Sequence, residues 1–523
     1  MLKYLWDWLL VVSFAVVLAA VLRLAGVWGG YYAALARDNK ITESVIPAPR
    51  GEIVDRKGRI MAESIAQFYV AKDEKDLGYE LKRKYPYSEK AGLITGYVAK
   101  TTEAEMAANT CPKTLGNDDL IGKTGIESQF DCLLRGVDGR RLVEVDAKGR
   151  YIRELGRQEP IQGETIKLSL DAFWQDKIYG MLQGKRAVVI LSTPKDGKIL
   201  AMVSSPAMDP NNFSYVIDNR MIKNYLEDSQ NLPLVNRAIA GTYHSGSVFK
   251  PIMATAGLES GVINKGSLIE DTGVIKVGEY SYNNWLWTKR GTTDGMVDIV
   301  KAIQRSNDIF FYRLGEKLGA ERIKEWMDKF GLGQKTGIEL PGELAGLAPD
   351  DKWKREVKGE SWYLGDTYHL SIGQGDLNVT PLQINSMTGI VASRGMKCKP
   401  SILDKAKPEC QKMEVGAETW ATIIEGMKAA CKPGGTAWPL FNFKTSIACK
   451  TGTAEVGDGT PDTHAWLTAF APADNPEVVI TVMVERGGEG SDVAAPIVGD
   501  ILKEWFGETD TVIPRYTPVP SKI

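Results

Sequence analysis

The first apolar run of the chain lies near its N-terminus. Trp8–Leu22 contains no charged residue, and the apolar pattern resumes after Arg23. A membrane helix needs about 20 such residues, and an arginine can extend its charged end toward the interface. The pattern predicts a transmembrane anchor over residues 9–31, after a short segment of residues 1–8. A cleaved signal peptide is the alternative, but its positive region would hold a single lysine and no clear small-x-small site follows.

After the anchor the chain becomes polar, with short strand-like runs that glycines interrupt. The run Pro49–Ser64 alternates apolar and polar positions around Lys57-Gly58, a pair typical of a hairpin turn. This pattern predicts a strand-rich domain over residues 39–163. At the other end of the chain, residues 509–523 are rich in proline and predict a loose tail.

Residues 164–508 show a different pattern, with strands at both ends and helical periodicity between them. Asp196-Gly197 joins two apolar strand-like runs, which is a strong hairpin signal. Another strand pair is predicted within Thr468–Glu485, before a closing helix, Ala495–Trp505. Strands at both ends with helices between them predict an α+β domain built on an antiparallel sheet.

Composition limits the classes of function. The chain has 523 residues and a formal net charge of −2, with no long basic run. The length predicts two or three domains, and the charge gives no indication of a nucleic-acid partner. The chain has three histidines and six cysteines without a CxxC spacing, which argues against a zinc site.

The even number of cysteines is compatible with disulfides outside the membrane. Pairing between neighbours in sequence is the simplest arrangement, and buried free thiols remain the alternative. The neighbouring pairs are Cys111–Cys132, Cys398–Cys410 and Cys431–Cys449.

One short stretch, GTYHSGSVFKP, places Ser247 three residues before Lys250. If a helix begins just before the serine, both side chains lie on one face, one turn apart. Because a free serine is a poor nucleophile, it needs a base such as this amine. Alone the spacing is weak evidence, since a capping serine on a surface helix gives the same pattern. His244 offers a second candidate base, although Lys250 already fills that role.

Two further polar groups stand later in the chain. Ser306-Asn307-Asp308 interrupts a mostly helical pattern, where a polar triplet usually marks an exposed turn. Lys450-Thr451-Gly452-Thr453 follows a strand-like run, and its ammonium and hydroxyls are suited to holding a carboxylate. In the order S-x-x-K, S-x-N-like and K-T-G, the three groups match the set of serine β-lactamases and penicillin-binding proteins.

The chain resembles the class B penicillin-binding proteins over nearly its whole length, and within them it is most similar to penicillin-binding protein 2, the elongation type. PRGEIVDRKG and IGKTGIESQFDCLLRGVDG resemble the family's membrane-proximal pedestal, also called the dimerisation domain. The stretches resembling its transpeptidase domain are HSGSVFKP, TGIELPGE, WYLGDTYHLSIGQGDLNVTPLQ and CKTGTAE. The implied architecture is an antiparallel sheet flanked by helices, on a strand-rich pedestal with one transmembrane helix.

The resemblance implies a peptidoglycan D,D-transpeptidase that cross-links stem peptides and is acylated by β-lactams, without metal or other cofactor. Ser247 would attack the penultimate D-Ala carbonyl, Lys250 would take its proton, and Ser306 would relay a proton to the leaving amine. Lys450, Thr451, Gly452 and Thr453 would bind the terminal carboxylate. The backbone N–H groups of Ser247 and Thr453 would form the oxyanion hole.

Asp308 stands where much of the wider family has asparagine. An ionised carboxylate there would raise the pKa of Lys250, whereas Lys450 and burial would lower it. The sequence leaves that balance open. His369 and His464 also lie in or near these segments, and both are expected to be structural.

The resemblance also implies partners and a location. The expected partners are a SEDS glycosyltransferase and other elongation-complex proteins, with the N-terminus cytoplasmic and the bulk of the chain periplasmic. A D,D-carboxypeptidase is the closest chemical alternative. A β-lactam hydrolase or sensor would not need residues 39–165, and a scaffold without activity would not need every motif residue.

Overall fold

The computed structural model describes residues 2–30, 41–70, 77–111, 115–116, 119–145, 151–182 and 184–516. Helix α1, Leu2–Arg23, continues as the π-helical turn Leu24–Trp28. Within it, Trp6–Trp28 is long and apolar enough to cross a membrane. The predicted anchor of residues 9–31 overlaps this span, but its last residue lies outside the described part of the chain.

In its described residues, the region between helix α1 and the larger domain, which we call the pedestal, carries nine strands and four short α-helices. The strands are β1 Ile41–Ile46, β2 Ile53–Val54, β3 Ile60–Val70, β4 Leu77–Lys84, β5 Val98–Lys100, β6 Leu120–Gly122, β7 Gly139–Val145, β8 Tyr151–Gln158 and β9 Ile166–Lys167. The helices are α2 Gly92–Thr95, α3 Glu103–Ala107, α4 Gly125–Gln129 and α5 Asp131–Leu134. They form sheets in the orders β1-β7-β8, β4-β3-β2-β9 and β5-β6.

Strand β9 joins the pedestal to the larger domain. Ile53 of β2 pairs in parallel with Ile166 of β9, directly before the chain enters the larger domain. The Asp55 carboxylate accepts a 3.0 Å bond from the Ala172 backbone, at the start of the first helix of that domain. The hairpin predicted at Lys57-Gly58 is present between β2 and β3, and Lys57 Nζ lies 2.9 Å from Asp171 Oδ2 at this junction.

The larger domain contains the remaining elements. Its helices are α6 Ala172–Leu182, α7 Asn211–Ser214, α8 Asn219–Glu227, α9 Arg237–Ala240, α10 Lys250–Glu259, α11 Trp285–Arg290, α12 Ile299–Arg305, α13 Asp308–Phe330, α14 Asp351–Trp353, α15 Leu364–Ser371, α16 Pro381–Ala392, α17 Ala417–Ala430 and α18 Ala495–Trp505. Its strands are β10 Ala187–Ser192, β11 Ile199–Ser205, β12 Ile269–Asp271, β13 Val274–Val277, β14 Tyr280–Asn283, β15 Gly295–Val297, β16 Met396–Cys398, β17 Cys410–Lys412, β18 Ala448–Glu455, β19 Thr463–Ala471 and β20 Val478–Val484.

The central sheet has the order β11-β10-β20-β19-β18, and every neighbouring pair is antiparallel. Strands from both ends of the domain meet in it, as the pattern predicts, and the predicted α+β class is confirmed. Alternate residues of β10 point to opposite faces. Val188 and Ile190 join the core that contains α10, α13 and α16, whereas Val189 and Leu191 join the core beneath α6 and α18. Burial on both faces explains why β10 reads as a continuous apolar run.

All three predicted cysteine pairs are disulfides in the structure: Cys111–Cys132, Cys398–Cys410 and Cys431–Cys449. The third pair ties the end of α17 to β18, one residue before Lys450. Within the predicted proline-rich tail, Thr511 is buried and Ile513 packs beside Gly499 of α18. Residues 517–523 lie outside the described part of the chain.

Candidate active site

Ser247 lies on a 3-10 turn, Gly246–Phe249, that leads directly into helix α10. The helix start predicted before the serine is present, with Lys250 as the first residue of the α-helix. Gly246 has φ +54°, and an added Cβ would lie 2.8 Å from the Thr453 carbonyl oxygen. Its N–H donates a 2.8 Å bond to the Gly373 carbonyl. The turn is therefore clamped between β18 and the loop after α15, which fixes the serine relative to the strand.

Ser306 interrupts the helical pattern in which it occurs. It ends α12 with φ 55° and ψ 37°, and Asn307 caps α13 by accepting a 2.9 Å bond from the Phe310 N–H. The alternative of an exposed helical turn is wrong, because all three residues of the triplet are buried. A serine in the left-handed region is strained, and such strain is typical of functional positions.

The side chains of the three motifs meet at the Ser306 hydroxyl. Lys250 Nζ donates to Asp308 Oδ1 at 2.7 Å and lies 3.3 Å from Ser306 Oγ. Lys450 Nζ, on strand β18, donates to the same hydroxyl at 2.8 Å. Both lysines are completely buried. One hydroxyl therefore connects two amines, and Ser247 lies one turn before the first of them.

Burial controls the protonation of both amines. Desolvation lowers the pKa of Lys250 from its ordinary value, although the charge of Asp308 opposes the shift. Desolvation, aided by the charge of Lys250, lowers the pKa of Lys450 still further. The balance that the sequence leaves open therefore favours burial over Asp308. A lysine in such surroundings gives up its proton more readily than an exposed one.

Strand β18 presents the K-T-G group to this cluster. Thr451 Oγ1 lies 2.7 Å from Thr436 Oγ1, and Thr453 Oγ1 donates to Glu489 at 3.0 Å. A Cβ on Gly452 would lie 3.0 Å from the Ser245 carbonyl oxygen. Glycine at this point lets the serine turn approach the strand closely.

A buried polar network beneath Asp308 is absent from the sequence predictions. Trp285 N–H donates to Asp308 Oδ2 at 3.1 Å, and Asn284 Oδ1 accepts from the Asp308 N–H at 3.2 Å. Asn284 and Asn307 each donate to Asp271 Oδ2 at 2.8 Å. No local signal marks Asp271, because it lies far from the motif in sequence. The network holds the carboxylate that faces Lys250.

The histidines occupy supporting positions. His244 Nδ1 lies 2.9 Å from the Glu455 carbonyl oxygen at the end of β18. His464 is buried, and desolvation lowers its pKa to about 4. Its ring packs edge-on to Tyr243, with centroids 5.2 Å apart. His369 contacts the ring of Tyr282, outside the lysine cluster.

Comparison with known proteins decides the family. Residues 187–503 match the penicillin-binding protein transpeptidase domain, and residues 76–168 match the penicillin-binding protein dimerisation domain. The chain belongs to the penicillin-binding protein transpeptidase family. The predicted family is thereby confirmed, while the domain boundaries at 163 and 508 stay predictions.

Several curated relatives of this penicillin-binding protein carry the name peptidoglycan D,D-transpeptidase MrdA. The protein from Acinetobacter baumannii is 34% identical over 454 residues, which cover 82% of this chain and 66% of that protein. The protein from Escherichia coli K12 is 34% identical over 479 residues, covering 84% of this chain and 74% of that protein. The chain thus spans about two thirds to three quarters of the length of these relatives.

Solved structures agree with the predicted resemblance to penicillin-binding protein 2. That protein from Pseudomonas aeruginosa, in complex with WCK 5153, has a TM-score of 0.77 and 33% identity, covering 91% of this chain and 100% of its own. The Helicobacter pylori protein in complex with MreC has a TM-score of 0.78 and 25% identity, covering 90% and 99%. A peptidoglycan synthase complex that coordinates polymerization and crosslinking has a TM-score of 0.80 and 27% identity, covering 96% and 98%.

Proposed function

We propose that this penicillin-binding protein cross-links peptidoglycan through an acyl-enzyme formed on Ser247. The chain is a peptidoglycan D,D-transpeptidase, which is the activity that its curated relatives carry in their name. The observation that supports Ser247 as nucleophile is its place one turn before a buried lysine whose pKa is lowered. A lysine that reaches the neutral form is able to accept the serine proton.

In the first step, Ser247 Oγ bonds to the penultimate D-Ala carbonyl carbon while Lys250 takes the hydroxyl proton. The amide bond to the terminal D-Ala then breaks, and its nitrogen receives a proton through Ser306. The position of the Ser306 hydroxyl between Lys250 and Lys450 supports this relay. In the second step, an amine of another stem peptide attacks the ester, which forms the cross-link and restores the serine.

We assign the oxyanion hole to the backbone N–H groups of Ser247 and Thr453. The first N–H groups of a helix have no intrahelical partner, and Ser247 is the second residue of its turn. Such donors stabilise the charge that develops on the carbonyl oxygen. Lys450, Thr451 and Thr453 belong to β18, next to the turn that carries Ser247. In this position they would hold the terminal carboxylate of the donor.

The decisive test is the intact mass of the full chain in detergent after incubation with a β-lactam. We expect one stable adduct, which maps to Ser247 and is absent from Ser247→Ala. Ser229→Ala, at an exposed serine outside the cleft, is the matched control and should be acylated like wild type. An adduct that persists in Ser247→Ala would disprove the assignment, and rapid loss of the wild-type adduct would indicate a hydrolase.

A second assay separates transpeptidation from carboxypeptidase activity, the closest chemical alternative. We expect a donor peptide and an amine acceptor to give the cross-linked product in wild type, with the hydrolysis product, the donor shortened by one D-Ala, in the minority. Release of terminal D-Ala with water as the only acceptor would favour the carboxypeptidase.

For partners and location we propose the elongation machinery at the bacterial inner membrane. One relative's structure contains MreC and another is a peptidoglycan synthase complex, which supports a SEDS glycosyltransferase and other elongation proteins as partners here. The apolar helix would cross the membrane with its N-terminus in the cytoplasm, so that Ser247 faces the wall. If Ser247→Ala still stimulates glycan polymerisation by its partner, a scaffold role exists beside the enzyme.

A further inference from the structure

Glu489 contacts the hydroxyl of Thr453, which the proposed function assigns to binding of the donor's carboxylate. It lies in the segment between β20 and α18, and its Oε2 accepts a 3.0 Å bond from Thr453 Oγ1. Its other oxygen, Oε1, lies 2.7 Å from Lys289 Nζ of helix α11. The pair therefore joins α11 to strand β18. The Glu489 carboxylate thus accepts the bond from Thr453 that a donor's terminal carboxylate would otherwise accept.

The Thr453 hydroxyl is unable to donate to Glu489 and to a donor's carboxylate at the same time. A threonine hydroxyl has one O–H, so it donates to one carboxylate at a time. The same oxygen accepts a long bond, 3.4 Å, from the Gly490 N–H, which leaves Glu489 as the recipient of its proton. A donor that binds Thr453 through its carboxylate must displace Glu489 from the hydroxyl.

The surroundings allow that displacement. The side chains of Glu489 and Lys289 are 39% and 48% exposed, so neither is locked by packing. When Glu489 leaves Thr453 it keeps its bond to Lys289, and its charge is not left unpaired. Ion pairs this exposed contribute little to stability, which makes the contact easy to exchange.

We propose that Glu489 competes with the donor's terminal carboxylate for Thr453 and so limits the affinity of the site for its donors. It lowers the affinity for every anionic donor, stem peptide or β-lactam, without changing the acylation chemistry. This inference rests on the proposed acylation of Ser247. It assigns Glu489 to the binding step alone.

The test measures acylation of the full-length protein by benzylpenicillin and separates the dissociation constant from the acylation rate constant. For Glu489→Ala we expect about two- to fivefold tighter binding, the range for one partly exposed charged contact. For Glu489→Gln we expect a smaller gain, because the amide oxygen still accepts from Thr453 while the charge is gone. The acylation rate constant should stay unchanged. The gain in Glu489→Gln should shrink in 1 M salt, where screening already weakens the charge it removes.

Two further variants control for indirect effects. Glu425→Gln removes the exposed partner of Lys265, a 2.7 Å ion pair of similar exposure, and should leave both constants unchanged. In a Thr453→Val background, Glu489→Ala should no longer tighten binding, because the contested hydroxyl is gone.

The outcomes separate this inference from the proposed function. If wild type is not acylated at Ser247, the proposed function fails. If wild type is acylated but both Glu489 variants bind benzylpenicillin as wild type does, the competition is disproved. If both variants lower the acylation rate constant, Glu489 instead positions Thr453, and the inference is overturned.

Discussion

The pedestal buries Arg50, Arg83 and Glu127 almost as completely as the transpeptidase domain buries Lys250 and Lys450. In the pedestal, Arg50 Nε and Arg83 Nε donate to the two oxygens of Glu127 at 2.5 and 2.6 Å. Burial opposes the charge of Glu127, but the charges of the two arginines hold its pKa below its ordinary value. The two arginines therefore favour the ionised form of Glu127.

The active site uses cations of another kind. An arginine keeps its proton in proteins, whereas a lysine amine loses its proton when burial is not fully compensated. Within the described part of the chain, Lys250 has one carboxylate partner, Asp308, and desolvation still lowers its pKa. Buried arginine is therefore suited to permanent pairing within a fold, while buried lysine is suited to act as a base. The comparison predicts that exchanging or removing charges in the two clusters has different consequences.

The largest expected effect comes from Lys250→Arg. A guanidinium is unable to deprotonate, so it does not replace the amine as base. We expect acylation by benzylpenicillin to fall about 10²- to 10⁴-fold, the usual range for a general base, with the fold retained by circular dichroism. Arg50→Lys, the reverse exchange in the pedestal, should leave acylation close to wild type. Acylation of Lys250→Arg within tenfold of wild type would contradict the role of Lys250.

The next effect concerns stability, and it belongs to the pedestal. Glu127→Gln removes the carboxylate between two buried guanidinium groups, so that Arg83 loses its carboxylate while Arg50 keeps Asp131. We expect a loss of about 3–5 kcal/mol in the free energy of unfolding, measured with denaturant on the full chain in detergent. Glu43→Gln breaks the exposed pair with Arg140 and should cost less than about 1 kcal/mol. Equal losses in both variants would remove the distinction between buried and exposed pairs.

The two clusters were not equally accessible from sequence. Short motif spacings and a strand pattern mark Ser247, Lys250 and Lys450 in the sequence. Alternating apolar positions and the turn signal Asp196-Gly197 mark strands of the central sheet. The pedestal cluster was not found. Its members are distant in sequence, and nothing local reports that Arg50 meets Glu127.

Separation in sequence also explains why the local pattern does not predict some of the contacts at the candidate active site. The break at Ser306 depends on Asn307 capping α13 and on Asp271 lying beneath it, and tertiary packing supplies both. Glu489 also has no motif of its own, since only the fold brings it to Thr453. Even the direction of the shift in the pKa of Lys250 depends on how deeply the amine is buried, and sequence periodicity does not give that depth.

A smaller effect sharpens the electrostatic part of the comparison. Asp308 opposes the lowering of the Lys250 pKa, so Asp308→Asn should lower that pKa further. Because the neutral amine is the proposed base, the acylation rate should rise with pH through the pKa and then reach a plateau. We therefore expect the acidic limb of the pH–rate profile to move to lower pH in Asp308→Asn. A limb that stays in place or moves to higher pH would mean that the limb reports another group.

The smallest effect is the acid dependence of the pedestal. The folded-state pKa of Glu127 lies below its ordinary value of 4.5, so its pairing stabilises the fold fully above that value. This contribution is lost as pH falls through the folded pKa, because the unfolded chain binds the proton first. Glu127→Gln has no such group, so its stability deficit relative to wild type should narrow on acidification. Denaturant midpoints for both proteins between neutral pH and acid provide the measurement. A deficit that stays constant to the lowest pH would show that packing around the side chain, and not its charge, stabilises the pedestal.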